Sequence, residues 1–329
     1  MKTQIAYALI ASSQGTYLQE IWASVYSLRI YEPDRRVIVC CDSSTASYIK
    51  QFHDFVKLID DICIVPTPEH YSPKERSRAI KTSIRQYITG NYLFVDTDTI
   101  FAGEIGYIDN LSCDIAAVPE FHVTLADSIL RDSVINSVKS IFGINVSKAP
   151  YWFNSGVMYV ADTPISHSLY KLWNDNWLFS AFEKGNSQDQ PSLLKTDMEM
   201  GFVIKVLPGE YNCQLALSVK HYADAKIIHY LHFHLLPMPN NPFYDKSIYR
   251  VIKEHGGITD EVAHIIKNCK SAIPETSAII DGDAVNFLMS NPGHVFLRVS
   301  NMGGWPLSIM NKIAGLYARW FKFAETHKK

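Results

Sequence analysis

The sequence predicts an α/β fold: a mainly parallel central sheet flanked by helices, continued by a mostly helical C-terminal extension. Two observations carry this. Short, almost wholly apolar runs such as Arg36-Val-Ile-Val-Cys-Cys41 recur along the first two thirds of the chain, as strands buried on both faces require. Helical patterns alternate with them, which is the order of a parallel sheet. The 329 residues give room for roughly one to two domains. A turn-rich break at Pro237, Pro239, Asn240, Asn241 and Pro242 divides the chain into residues 1–240 and an extension, residues 241–329.

The elements follow in order. Residues 4–11 read as a first strand, ended by Ser12-Ser13-Gln14-Gly15. A helix follows, because Tyr17, Ile21, Trp22, Val25 and Leu28 recur on one face. Residues 36–41 form the second strand, and Asp42-Ser43-Ser44 after it is a helix-capping cluster. Residues 56–59 and 62–65 are weaker strand candidates, 73–88 a helix, and 92–95 another buried strand. Beyond Asp98, residues 115–118, 156–161, 202–207 and 225–230 read as strands, and 164–183 and 190–200 as helices.

The composition excludes several classes of function. Lys and Arg total 31 against 33 Asp and Glu, so the chain lacks the global basic signature of a nucleic-acid binder. Cys40, Cys41, Cys63, Cys113, Cys213 and Cys269 form no Cys-x-x-Cys pair, and reduced, buried thiols are the expectation rather than a zinc cage. The N-terminal apolar run is short enough to be a strand rather than a signal peptide. No stretch approaches the ~20 apolar residues of a membrane span. The expected location is cytoplasmic. The last 25 residues add one qualification. From 305 to 329, Lys312, Arg319, Lys322, Lys328 and Lys329 stand against Glu325, a local charge of 5 − 1 = +4. Ile309, Ile313, Leu316, Trp320 and Phe323 recur there at helical spacing. This is a basic amphipathic tail, suited either to packing on the domain or to peripheral contact with a membrane.

Four patterns carry chemistry. In Tyr92-Leu-Phe-Val-Asp-Thr-Asp-Thr-Ile-Phe101, Asp96 and Asp98 follow directly on a buried strand, where open α/β sheets bind ligands. In extended backbone the two carboxylates share a face and converge on one hard cation, Mn²⁺ or Mg²⁺. The competing reading has Asp96 capping a helix and Asp98 bonding in a turn. Asn154, Ser155 and Gly156 open a strand with an amide, a hydroxyl and close backbone approach, or form only a tight turn. Asp189 and Gln190 sit at a helix start, as ligand contacts or as a cap. His229 ends an apolar run.

Taken together and in this order, these residues resemble the glycosyltransferase family 8 group of the GT-A nucleotide-sugar transferases, of the glycogenin and bacterial lipopolysaccharide galactosyltransferase type. The resemblance runs from about Ile5 to about Tyr230. It implies a Rossmann-like GT-A fold and transfer of a hexose from a nucleotide sugar, UDP-linked, to a hydroxyl acceptor on a glycan or lipid, with retention. By the same resemblance, Ala11, Ser12 and Ser13 meet the uridine and Tyr17 stacks on its ring. Lys81, helped by Arg78, contacts the phosphates or donor sugar. Asp96, Asp98 and His229 hold Mn²⁺, or Mg²⁺ in its place; Asp96 also reaches the ribose, and Thr97 between the carboxylates lies in the nucleotide-sugar site. Asn154, Ser155, Asp189 and Gln190 meet the donor sugar, with Gln190 near the reacting carbon and Asp189 as the competing nucleophile. The leaving phosphate takes the acceptor's proton, so no strong general base and no second well-placed carboxylate is expected.

The family follows its metal-binding His with a Gly and then Lys-Pro-Trp. Here the run is His229-Tyr-Leu-His-Phe-His-Leu-Leu-Pro, so a phosphate clamp is missing, and His232 or His234 stands as an alternative third ligand. The alternative function is a catalytically inactive module that binds a glycan or a protein on the same scaffold. A nucleotidyltransferase is disfavoured, because Ser12-Ser13-Gln14-Gly15 lacks the basic residues and repeated glycines of its phosphate loop.

Overall fold

The computed structural model describes residues 2–231, 241–271, 286–287 and 289–326. His232, His234, Lys328, Lys329 and most of the proline-rich break lie outside them.

The main unit is built on a seven-stranded sheet. Its strands are β1 (Gln4–Leu9), β2 (Val37–Cys41), β3 (Asp61–Ile64), β4 (Tyr92–Val95), β6 (Ile115–Pro119), β7 (Phe153–Val160) and β8 (Lys205–Val206). They lie in the order β3-β2-β1-β4-β7-β6-β8. Pairing is parallel from β3 through β4, and β7 runs antiparallel to both β4 and β6. The expected mainly parallel sheet is present, with β7 as its reversed strand. A second, three-stranded sheet sets β10 (Ile227–His229) antiparallel to β5 (Thr99–Phe101) and parallel to β9 (Cys213–Gln214).

Alternation along β1 explains the layering. Ile5, Tyr7 and Leu9 enter one buried cluster with Ile21, Val25 and Leu28 of α1 (Tyr17–Tyr31). Ala6 faces the opposite cluster, which holds Ile80 of α4 (Pro73–Ser83) and Trp173 of α6 (Pro164–Leu178). Side chains at i and i+2 thus seal helices onto both faces of the sheet. The first cluster also takes in α8 (Ser247–His255) and α9 (Asp260–Lys267) through Ile248, Tyr249, Val262 and Ile266, so the compact unit continues beyond residue 240. Short α2 (Ser43–Ile49) is capped by Asp42, whose side chain accepts from Thr45 N, as that cluster predicts.

Some elements differ from expectation. Residues 56–59 are no strand: α3 (His53–Val56), which buries Phe55, and a turn occupy them. The 73–88 helix ends at Ser83 and tightens into a 3₁₀ turn, Ile84–Gln86. The 202–207 strand shrinks to Lys205–Val206. α5 (Arg131–Phe142), which ends at Gly143 in the left-handed region, and α7 (Gln190–Glu199) enclose a smaller cluster of Val134, Val138 and Leu194.

The second compact unit comprises α10 (Asn291–Met302) and α11 (Gly304–Thr326), packed on each other through a Gly303-Gly304 junction at φ 62° and 64°. Only glycine adopts two such conformations in succession at little cost. No helix of the described residues is long and apolar enough to cross a membrane.

Candidate active site

β4 ends at Val95, and the chain turns through Asp96, Thr97 and Asp98 into β5. The two carboxylates converge through this turn, not through extended alternation along a strand. The turn is held by a relay from the core. Thr99 Oγ1 donates to the Asp96 carbonyl at 2.9 Å. With its one hydrogen used, it accepts from Ser24 Oγ at 3.0 Å, and Ser24 in turn accepts from the buried Tyr7 hydroxyl at 2.8 Å.

His229 arrives from β10, where it pairs in register with Thr99. Donor atoms of Asp96, Asp98 and His229 lie within 4.8 Å of one another. His229 Nδ1 faces Asn212 Oδ1 at 3.0 Å, so it carries the hydrogen, and Nε2 faces Asp98 Oδ1 at 3.2 Å. Burial alone would lower the imidazole pKa; the Asp98 carboxylate beside it reverses this and raises it. Two carboxylates and an imidazole nitrogen whose tautomer is fixed by a second-layer oxygen suit a divalent cation. The clearance comes from Gly156. A Cβ there would clash with the His229 ring, 2.2 Å from its Cε1, and stand 2.9 Å from Asp96 Oδ2.

Lys81, from α4, is 2% exposed and lies between Asp96 Oδ1 at 3.1 Å and Asp189 Oδ2 at 3.2 Å. Arg78 Nε, one helical turn earlier, is 3.1 Å from Asp189 Oδ1. Ser155 Oγ donates to Asp189 Oδ2 at 2.7 Å. Asp189 occupies the position before α7, but its side chain caps nothing. Burial pushes its pKa up, yet the Arg78 and Lys81 charges, with the Ser155 hydroxyl, outweigh burial and hold it well below the usual carboxylate range. Its backbone carbonyl accepts from Trp173 Nε1 at 3.0 Å and Ser192 Oγ at 2.7 Å, which fixes the start of α7.

Asn154 and Gln190 meet on a residue the sequence reasoning missed. Buried Glu120, at the carboxyl end of β6, accepts on Oε2 from Asn154 Nδ2 at 3.0 Å and from Gln190 Nε2 at 2.9 Å. Burial outweighs both amides and raises its pKa. The expectation that no second carboxylate is well placed is therefore corrected: Glu120 stands between the Asn154 and Gln190 amides. The signal was available: Glu120 follows the apolar run of β6 just as Asp96 follows β4. Asn212, also missed, donates to Asn154 Oδ1 at 2.9 Å and so ties these amides to His229. Directly after Glu120 the chain takes two left-handed, non-glycine residues, Phe121 at φ 57° and His122 at φ 59°. Such strain costs on the order of 1 kcal/mol per residue or more and clusters at functional sites. Phe121 N and His122 Nε2 meet Gln214 Oε1 and the Asn212 carbonyl, both at 3.0 Å.

The remaining expected residues lie at the end of β1, beside β4. Ala11 N is bonded to Thr45 Oγ1 at 3.1 Å, and Ser12 Oγ closes a local turn with Gln14. Ser13 O accepts from Lys253 Nζ at 2.8 Å. Tyr17 opens α1 with its side chain 55% exposed. Lys246 Nζ stands 5.7 Å from the Tyr17 ring centroid and bonds buried Glu20 at 2.9 Å. Thr97 Oγ1 is 3.5 Å from the other Glu20 oxygen.

Solved structures share this architecture. An active-site mutant of LgtC matches with a TM-score of 0.51 at 13% identity, over 79% of this chain and 98% of that one. The fold is GT-A. GlyE of Streptococcus pneumoniae TIGR4 (TM-score 0.48, 16% identity, 85% of this chain and 66% of that one) is also similar. So is mouse xyloside xylosyltransferase 1 in its apo form (0.47, 13%, 69% and 97%). No protein-family model matches the chain, and no curated protein matches it.

Proposed function

We propose that this protein is a divalent-metal-dependent glycosyltransferase that moves a hexose from a UDP-sugar to a hydroxyl of a glycan or lipid-linked acceptor, with retention of anomeric configuration. The carrying observation is that the potential cation ligands Asp96, Asp98 and His229 adjoin, through Lys81, the group formed by Asp189, Ser155 and Arg78. A cationic end and a hydrogen-bonding end are what a sugar diphosphate requires.

In this reading Ala11, Ser12 and Ser13 line the uridine, Tyr17 stacks on it, and Asp96 and Thr97 border the ribose. Mn²⁺ or Mg²⁺ held by Asp96, Asp98 and His229 would supply positive charge to the departing diphosphate. Lys81 and Arg78 add fixed charge where the leaving group becomes negative, which is where preorganised electrostatics contributes most. Asn154, Ser155 and Asp189 bind the hexose hydroxyls and orient the ring. Both Asp189 oxygens are already engaged by Arg78, Lys81 and Ser155, which supports a counter-ion and sugar-binding role over a nucleophilic one. Gln190 then presents its carbonyl oxygen toward the anomeric carbon. The departing phosphate oxygen accepts the proton of the acceptor hydroxyl, which enters from the same face.

Calorimetric titration of UDP with Mn²⁺, and again with EDTA, tests this reading. Metal-dependent binding followed by hydrolysis of a UDP-hexose supports it. Binding without turnover of any UDP-sugar moves the protein to the inactive module, and absence of nucleotide binding in both conditions rejects the transferase.

A further inference from the structure

Glu325 is the first acidic residue after Asp283, and the chain between them carries Arg298, Lys312, Arg319 and Lys322. Within this stretch α11 runs for 23 residues, ~35 Å at 1.5 Å per residue. At about 100° per residue, Trp305, Leu316, Ile309, Trp320, Ile313 and Tyr317 fall within an arc of roughly 120°, and positions 312 and 319 border that arc on one side. The arc is turned outward: Trp305 is 76% exposed, Leu316 65% and Tyr317 61%, and Ile309 and Ile313 are about half exposed. On α10, Val295 and Met302 are exposed as well. A water-soluble surface of this size would ordinarily intersperse acids among its apolar groups.

We infer that the α10–α11 unit docks flat on an anionic lipid surface. The charge decides the occupant. A continuous apolar arc bordered by cations, with no acid until the end of the helix, complements negatively charged headgroups above acyl chains. Tryptophans near both ends of the arc are the side chains that settle at the headgroup boundary. Lys312 stands in the middle of the helix, so the helix lies in the interface rather than spanning it. Its aliphatic stem runs along the apolar arc and its ammonium reaches the phosphates. The inference does not rest on the nucleotide-sugar reading of the other unit, and its test uses no nucleotide.

The experiment is flotation of the full chain with phosphatidylcholine vesicles, with and without phosphatidylglycerol. Binding is expected only to the phosphatidylglycerol vesicles, weakening as salt rises. Replacing Lys312 and Arg319 together by Gln should weaken it on the order of thirtyfold, at ~1 kcal/mol for each cation near the surface. Trp305→Ser with Leu316→Ser should weaken it by about tenfold or more. Far-UV circular dichroism of both variants should match the parent, since Trp305, Lys312 and Leu316 are exposed. Absence of binding to phosphatidylglycerol vesicles overturns the inference, as does binding that neither variant changes. A dimer in sedimentation velocity that dissociates in the Trp305/Leu316 variant, with no lipid binding by the parent, assigns the face to a second copy and overturns it too.

Discussion

Glu120 fixes which way round the Gln190 amide sits. Gln190 Nε2 donates to Glu120 Oε2 at 2.9 Å and to the Phe153 carbonyl at 3.1 Å. Both partners can only accept in this arrangement, so the nitrogen must face them, and both its hydrogens are used. The carbonyl oxygen is left as the end that points away from them. If that oxygen assists departure of the diphosphate, Glu120 acts through Gln190 as a positioning residue. Glu120→Ala frees the amide to turn, and kcat for UDP-hexose hydrolysis should fall by about a hundredfold while UDP affinity hardly changes. Glu120→Gln keeps an oxygen able to accept both bonds and should restore most of the rate. Equal losses in the two variants would assign Glu120 to charge rather than orientation.

Much of this site was legible in the sequence because the sheet does the gathering. Asp96 and Asn154 belong to the ends of neighbouring strands β4 and β7: a polar residue after an apolar run marked the first, and an amide opening a strand marked the second. Lys81 and Arg78 are one turn apart on α4; only the family resemblance singled them out, and their pairing with Asp189 was not expected. Glu120 was hidden because the apolar run before it looked like one more core strand, and its partners lie 34 and 70 positions away in the chain. Asn212 left no pattern at all: it stands in a short 3₁₀ turn, Gly209–Asn212. β9 was also illegible, since a two-residue pairing carries no periodicity, and β8 was expected only as part of a longer 202–207 strand.

Gly156 is irreplaceable for a packing reason. Any Cβ there would intrude on the His229 ring and crowd Asp96 Oδ2. Gly156→Ala should cost about 1–3 kcal/mol of stability through overpacking. It should also weaken Mn²⁺ binding at least tenfold, because both displaced groups are candidate ligands. Calorimetry with Mn²⁺ on the folded variant checks this. Unchanged affinity would mean that the metal, if bound, does not use Asp96 and His229 together.

Asn212 acts one layer out. Its Oδ1 receives His229 Nδ1–H, so Nε2, which faces Asp98, is the nitrogen whose lone pair a cation would take. Asn212→Ala removes that orienting bond and should reduce Mn²⁺ affinity by about 10–100-fold, leaving UDP binding in EDTA, if any, unaltered. A loss smaller than twofold would show that packing alone orients the imidazole.

Asp197 gives a pH dependence that can be read without any ligand. It is buried in α7, accepts from Ile204 N at 3.0 Å, and burial pushes its pKa from an ordinary 3.8 up to about 6 despite help from the Ile204 and Val203 amides. Between roughly pH 4 and pH 6 the native state therefore binds a proton that the unfolded chain has released. With more protons bound to the native state, stability falls as pH rises through that window and levels off above it. A shift of this size corresponds to about 2–3 kcal/mol at ~1.4 kcal/mol per unit. Asp197→Asn removes the titration, and its amide resembles the protonated acid. Urea unfolding of the two proteins at pH 4 and pH 7 isolates the effect from every other group. Relative to wild type, the variant should gain about 2–3 kcal/mol between the two pH values, with the gain complete by pH 7. A difference between the proteins that does not change with pH would mean that Asp197 ionises freely in the folded state, and that the burial around α7 is looser than its packing against Ile204 implies.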